Sequence, residues 1–282
     1  MLVLLNYNDY ETCKKYLNNV VSYKNIDHIV VVDNASTDNS YNELLKFSSN
    51  KVDVIQTEKN LGYAYGNNFG MKYAMNKYKC KYFIISNPDV SFEDNIIESM
   101  INILEKNKDV ALVAPRMKSN NSNNIINPWK QPNYFANICK MVIVLDKIFG
   151  KRFYYKSDYF KESTSTVDVI PGSFFCVKAD IMKEVKYFDE NTFLYCEENI
   201  LAMKLKKNKY KEVVLNNCYF NHEHSTSIDK SYKGRVDKYK ILYESLYYYN
   251  KEYLNIGILK KILFKFIFVI SKVEKIIIGI IK

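Results

Sequence analysis

Arginine is scarce in this chain of 282 residues: Arg116, Arg152 and Arg235 are all it has. A protein that grips nucleic acid carries a basic stripe on its folded body with Arg prominent, so nucleic acid is not an expected partner. Tryptophan occurs once. The six cysteines, at positions 13, 80, 139, 176, 196 and 218, form no Cys-x-x-Cys pair and no zinc spacing. Most sit in apolar runs, so they read as reduced, buried thiols of a cytosolic protein rather than a disulfide framework. There is no internal repeat. No apolar run approaches the ~20 residues that a bilayer span needs. The first apolar run starts at Leu2, so no secretory signal is expected ahead of the fold.

What is present is ordinary for a globular chain: 48% apolar and 26% charged residues, which excludes disorder across its length. The length suits one large domain or two small ones. The abundance of Lys, Asn, Ile and Tyr (25 Tyr) reads as coding-sequence bias, so single residues of these types carry little information. The formal net charge is +10, and residues 254–282, with six Lys and one Glu, hold half of it. In that tail Lys265 and Lys272 bracket the short run Phe266–Ser271. Lys261, Lys265, Lys272, Lys275 and Lys282 fall near one helical stripe, with Ile and Phe elsewhere. This pattern predicts an amphipathic helix lying in a membrane interface. Each Lys near an anionic leaflet contributes about 1 kcal/mol. The alternative is a helix packed on its own domain or in a homodimer.

The first 114 residues alternate between two periodicities. Short apolar runs at Leu2–Leu5, Ile29–Val32, Val52–Ile55, Tyr82–Ile85 and Val110–Ala114 are separated by helical spacings such as Cys13, Tyr16, Leu17, Val20 and Ile96, Ile97, Met100, Leu104. The pattern predicts βαβ units, an α/β fold with a mostly parallel central sheet flanked by helices. A helix is expected after Gly66. Residues 115–166, with an Asn/Ser-rich stretch and the structure-breaking Pro128 and Pro132, read as a variable excursion over the site, mobile in part. Regular structure resumes over 167–227, and 228–282 forms a helical extension.

In such sheets ligands bind beyond the carboxyl ends of the strands. There the sequence places Asn6-Tyr7-Asn8, then Asp33-Asn34-Ala35-Ser36-Thr37-Asp38, then Asn60-Leu61-Gly62-Tyr63, then Asn87-Pro88-Asp89. One such loop is turn chemistry; four on one rim outline a polar site. Pro171-Gly172-Ser173-Phe174, Phe188-Asp189-Glu190 and Glu197-Glu198 follow in order. The ordered set resembles the family 2 glycosyltransferases of the GT-A fold, most of all their rhamnosyltransferase-like branch, over roughly residues 2–227.

The resemblance implies a catalytic domain over 1–227 with a donor half at 1–114 and an acceptor half at 167–227. On the donor side, Asp33 would accept a hydrogen bond from the N3–H of uracil or thymine, with Asn8 beside it. Asn60, Gly62, Gly66 and Asn67 would form the nucleotide loop. Asn87-Pro88-Asp89 stands where the fold carries its Asp-x-Asp motif, so Asp89 is the implied Mg²⁺ or Mn²⁺ ligand. His222, or its neighbour His224, stands near the diphosphate. Glu198 takes the position of the base that accepts the acceptor proton. Glu replaces the usual Asp there and Ile200 replaces a usual acid, so Glu197 remains the alternative. Gly172 and Ser173 would floor the acceptor side, and Asp189 would lie near its rim.

Together these imply an inverting, metal-dependent transferase moving rhamnose or a similar sugar from a dTDP- or UDP-sugar to a lipid-linked glycan. That chemistry belongs to capsule or O-antigen assembly at the inner face of the cell membrane. Two other readings share parts of the pattern. A sugar-nucleotide pyrophosphorylase has a related fold, but its Gly-rich, Arg-containing N-terminal loop is missing. A non-catalytic membrane-associated scaffold would follow if Asn87 and Ile200 marked a decayed site.

Overall fold

The computed structural model describes residues 1–119, 125–223 and 235–278. The apolar runs become strands β1 (Leu2–Asn6), β2 (Ile29–Asp33), β3 (Val52–Gln56) and β4 (Tyr82–Ser86), joined by helices α1 (Tyr10–Val20), α2 (Ser40–Leu45) and α3 (Tyr63–Lys77). These strands lie in the order β3-β2-β1-β4, all parallel, with Leu2 opposite Ile29 on one side and Ile84 on the other. A short β5 (Val90–Ser91) and α4 (Asn95–Lys106) lead into β6 (Val110–Ser119). Beyond it come β7 (Ile125–Ile126), α5 (Tyr134–Met141), α6 (Ile143–Phe149), β8 (Thr164–Val167), β9 (Phe174–Lys178), α7 (Ala179–Glu184), α8 (Glu197–Lys207) and β10 (Lys211–His222).

β9 inserts between β4 and β6 and runs antiparallel to both, so those two strands point the same way, and β10 extends β6 in parallel. The long strands β1, β2, β3, β4, β6 and β10 thus share one direction, with β9 the long strand reversed among them. Alternation along the strands feeds two cores. Leu2, Leu4 and Val31 face α1 and α4 residues such as Leu17 and Ile97. Val3, Val30 and Val32 face α3 and α8 residues such as Met71 and Leu205.

Two expectations change. α3 begins at Tyr63, upstream of Gly66, because Gly62 adopts φ +98° and starts the helix itself. The described part of the 115–166 excursion is pinned: Trp129 bridges to both Tyr154 and Val169. The C-terminal extension is helical as expected, and it packs on the domain. α9 (Arg235–Tyr248), a π-helical turn (Tyr249–Tyr253) and α10 (Ile258–Ile277) build a third core, in which Leu246, Tyr249 and Phe264 pack with Cys196 and Ile200 of α8 and Ile138 and Met141 of α5.

Candidate active site

A cavity of about 440 Å³ opens where the carboxyl ends of β1 and β4 meet the N-termini of α3 and α8. One wall is a carboxamide lattice. Asn34 donates from Nδ2 to Asn60 Oδ1 (2.9 Å) and to the Gly62 carbonyl (3.2 Å), and it accepts from Thr57 Oγ1. Asn60 Oδ1 also accepts from the Gly62 amide (2.9 Å). Gly62 is required twice over. Its φ lies in the left-handed region, and a Cβ there would sit 2.0 Å from the Phe193 carbonyl oxygen.

The floor is Asn87-Pro88-Asp89. β5 pairs antiparallel with β10, His222 opposite Val90, and the Glu223 amide donates to the Asp89 carbonyl (2.9 Å). This ladder brings His222 Nε2 to 3.1 Å from Asp89 Oδ1, with side chains only 11% and 7% exposed. No trio of metal-binding side chains occurs among the described residues. One carboxylate and one imidazole nevertheless fit a divalent cation that takes its other ligands from phosphate and water, the usual arrangement for Mg²⁺.

The opposite wall carries the paired glutamates. Tyr195 and Cys196, at φ 72° and 69°, are consecutive left-handed residues ahead of α8. Such conformers cost roughly 1–3 kcal/mol each and persist only where the surroundings hold them. Here they turn the chain so that Glu197 and Glu198 both enter the cavity. Glu197 is 6% exposed, and its Oε2 has no hydrogen-bond partner among the described residues. Glu198 Oε1 lies 3.4 Å from the Gly172 amide, and Tyr63 donates its hydroxyl to the Gly172 carbonyl (2.6 Å). Burial drives the Glu197 carboxyl well above the ordinary range, and the charge of Glu198 drives it further. Burial raises Glu198 as well, while backbone hydrogen bonds, one from Gly172, pull it back. Adjacent buried carboxyls resist double ionisation. Of the two, Glu198 has the Gly172 amide aimed at its carboxylate, which favours its charged form.

Asn60, Gly62, Asn87, Asp89, Gly172, Ser173, Glu197, Glu198 and His222 all line this one cavity. Five expected residues do not. Asp33 is 0% exposed. Its carboxylate is saturated by Asn6 Nδ2, the Ser36 amide and hydroxyl, and Gln56 Nε2, so it braces the 34–38 turn. Asn8 exchanges hydrogen bonds with Thr37. Gly66 lets α3 close on Leu5, where a Cβ would meet Leu5 Cδ1 at 2.3 Å. Asn67 is spent inside α3 on the Tyr63 carbonyl. Asp189 accepts from the Tyr248 and Tyr253 hydroxyls and so clamps the C-terminal unit rather than edging the acceptor cleft. The burial penalty on that carboxyl is outweighed by these hydrogen bonds, which hold it below the usual range. His224 lies outside the described residues.

The cavity also contains residues that motif reading passed over, notably Asn34, Tyr63, Trp129 and Tyr195. Asn34 was legible as the neighbour of Asp33 at the same strand end. Trp129 carried one signal, as the only Trp in the chain, within the excursion expected to cover the site.

Comparison with known proteins agrees with this geometry. The chain is 23% identical over 198 residues to the low-salt glycan biosynthesis hexosyltransferase Agl10 of Haloferax volcanii, covering 70% of this chain and spanning 58% of that relative. Its fold is similar to that of S. aureus TarS 1–349 in complex with UDP-GlcNAc (TM-score 0.58, 15% identity, 96% of this chain and 71% of that one). It is similar too to the mannosyltransferase PcManGT of Pyrobaculum calidifontis in complex with GDP-Man and Mn²⁺ (TM-score 0.59, 14% identity, 91% and 64%). Residues 2–183, which include Asn34, Asn60 and Gly62 of the wall and Asn87-Pro88-Asp89 of the floor, match the model of glycosyl transferase family 2, and the chain belongs to that family.

Proposed function

We propose that the chain is an inverting glycosyltransferase of the rhamnosyltransferase-like kind. It would move rhamnose or a similar hexose from a dTDP- or UDP-sugar to a hydroxyl of a lipid-linked glycan during bacterial capsule, O-antigen or related surface-polysaccharide synthesis. The observation that carries this reading is one cavity with the Asp89–His222 pair on its floor and the Glu197–Glu198 pair on its wall.

The chemistry follows from that placement. The acceptor hydroxyl attacks the anomeric carbon from the face opposite the nucleotide. Its oxygen forms the new bond as the bond to the diphosphate breaks, and its proton passes to Glu198. The Gly172 amide beside its carboxylate suits Glu198 to that role, with Glu197 as the alternative. Asp89 and His222 would hold Mg²⁺ or Mn²⁺, which supplies positive charge to the departing diphosphate. The Asn34–Asn60–Gly62 lattice fixes the loop beside the nucleotide. The pyrimidine preference rests on Asp33 by resemblance. A base N–H would reach its carboxylate by displacing Gln56, the exposed member of its four contacts.

Calorimetry with Mn²⁺ should show UDP or dTDP binding at least tenfold more tightly than GDP, about the discrimination one hydrogen bond provides. A preference for GDP would sink the pyrimidine donor, and binding of no nucleotide would sink the transferase reading.

The acceptor class fits the outer surface of α10. At about 100° per residue, Phe264 and Ser271 form the packed edge, both fully buried. The opposite face presents Leu259, Ile262, Phe266, Val269, Val273 and Ile277, with Leu259 80% and Phe266 62% exposed. Lys261, Lys265 and Lys272 flank one border of this face. No described helix is long and apolar enough to cross a membrane. An apolar face bordered by lysines suits the surface of an anionic leaflet, and the proposed location is the inner face of the cytoplasmic membrane. Deleting 254–282 is a poor test, because it would strip Phe264 from the third core. Phe266→Glu with Val273→Glu leaves the packed side intact and should release the protein from anionic vesicles. Retention on those vesicles would sink the membrane assignment. So would a wild-type homodimer that these substitutions dissociate.

A further inference from the structure

The sole tryptophan connects the cavity to the C-terminal unit through a continuous set of hydrogen bonds. Trp129 lines the cavity beside Gly172 and the glutamates, and its indole Nε1 donates to Asn199 Oδ1 at 2.8 Å. Asn199 follows Glu198 directly in α8 and is buried. Two residues beyond Trp129, Gln131 Nε2 donates to the Asn199 carbonyl (3.0 Å) and to the Tyr249 hydroxyl (2.6 Å). Tyr249 donates onward to the Pro132 carbonyl (2.9 Å) and is fully buried. The Trp129 backbone is tied on its other side to Val169, two residues before Pro171. The indole therefore has a fixed orientation. Its nitrogen is engaged with α8, and its ring is left as apolar surface on the acceptor side.

We propose that Trp129 is the platform on which the acceptor sugar lies, and that Tyr249 is the positioning residue that holds it from the C-terminal unit. The proposal rests on the transferase reading above. A pyranose has an apolar face of C–H groups, and a rigid indole matches that face with a large contact area. The surrounding carboxylates then meet the hydroxyls at the ring edge. The C-terminal unit would thereby act in acceptor binding as well as at a membrane surface.

Because Trp129 is the only Trp in the chain, its fluorescence reports this contact directly. With UDP and Mn²⁺ saturating, methyl α-rhamnoside, methyl β-glucoside and methyl β-N-acetylglucosaminide are titrated against the full-length protein. At least one should shift or quench the emission, and calorimetry on Trp129→Ala should show that glycoside no longer bound while UDP affinity is retained. Tyr249→Phe should weaken the glycoside about tenfold, the effect of losing one buried hydrogen-bond partner, and change UDP affinity little. Tyr243→Phe lies in the same C-terminal cluster and makes no hydrogen bond to 129–132, so it should change neither. Normal UDP binding with no emission response to any glycoside at its solubility limit would overturn the platform. Equal losses of UDP and glycoside affinity in Tyr249→Phe would overturn the positioning role. Absence of UDP binding in the wild type would instead count against the transferase reading itself.

Discussion

Asp89→Ala is expected to lower sugar transfer by about 10³-fold or more, the scale of losing several kcal/mol of charge stabilisation at a departing diphosphate. Asp89 is the carboxylate of the floor pair, and its partner His222 is neutral when it acts as a ligand, so the substitution removes the anionic charge there. Fold should survive. The loop is held by backbone contacts, Asn87 N to the Ser173 carbonyl (2.8 Å) and Glu223 N to the Asp89 carbonyl (2.9 Å), which Ala retains. Circular dichroism checks the fold, and calorimetry checks whether Mn²⁺ still strengthens UDP binding. Unchanged turnover with an intact metal effect would remove Asp89 from the mechanism. Asp89→Asn should resemble the Ala variant, because the amide keeps the shape and loses the charge.

Glu198→Gln is expected to lower kcat by ~10²–10⁴-fold, the usual worth of a positioned base, with donor affinity little changed. With Glu198 as the base, Glu197→Gln should cost much less. The reverse ranking would exchange their roles. The pH dependence has a worked sign. Burial and mutual repulsion raise both carboxyls, so a base drawn from this pair ionises only above the ordinary carboxylate range. The acid limb of kcat should lie correspondingly high in pH and disappear in Glu198→Gln. Stability runs the other way. Between the ordinary and the raised values the native state binds more protons than the unfolded state, so ∂ΔG/∂pH is negative. The contribution of these protons is complete below the unfolded pKa and is lost as pH rises through the native one. Thermal melts should therefore decline with rising pH in the wild type and decline less steeply when either glutamate is replaced by Gln, the buried Glu212 still contributing in the same sense.

How much of this was legible before the coordinates depended on how local the cause was. The strands were, because runs such as Ile29–Val32 are buried on both faces and need no distant information. The glutamate pair and Asn87-Pro88-Asp89 were, because a motif keeps its place relative to its own strand or helix. Asp33 shows where motif reading ends. A strand-end carboxylate has the same sequence signature whether it stands open to a ligand or, as here, is engaged by its own turn, Asn6 and Gln56. Asp189 is similar, since its partners Tyr248 and Tyr253 come from the distant C-terminal extension, and nothing in the local motif points to them. β9 could not be ordered from periodicity, which does not say that a strand reverses and slots between two earlier ones. The doubled character of α10, with one side packed and the other open, was half visible. Its lysine stripe was plain, while Phe264 and Ser271 acquire partners only through folding.

The late arrival of β9 has a consequence for synthesis. Tyr82–Ser86 of β4 pairs with Phe174–Lys178 of β9. Until the later segment leaves the ribosome, the finished first half of the sheet keeps an open backbone edge there. At ribosomal speeds of roughly 5–20 residues per second, the intervening stretch takes roughly 5–20 s to emerge. For that interval the nascent chain displays Phe83, Ile84 and Ile85 along an unpaired strand, the kind of edge that recruits other chains. Chaperone capture of nascent polypeptides should therefore concentrate on lengths at which β4 is outside the tunnel and β9 is still within it.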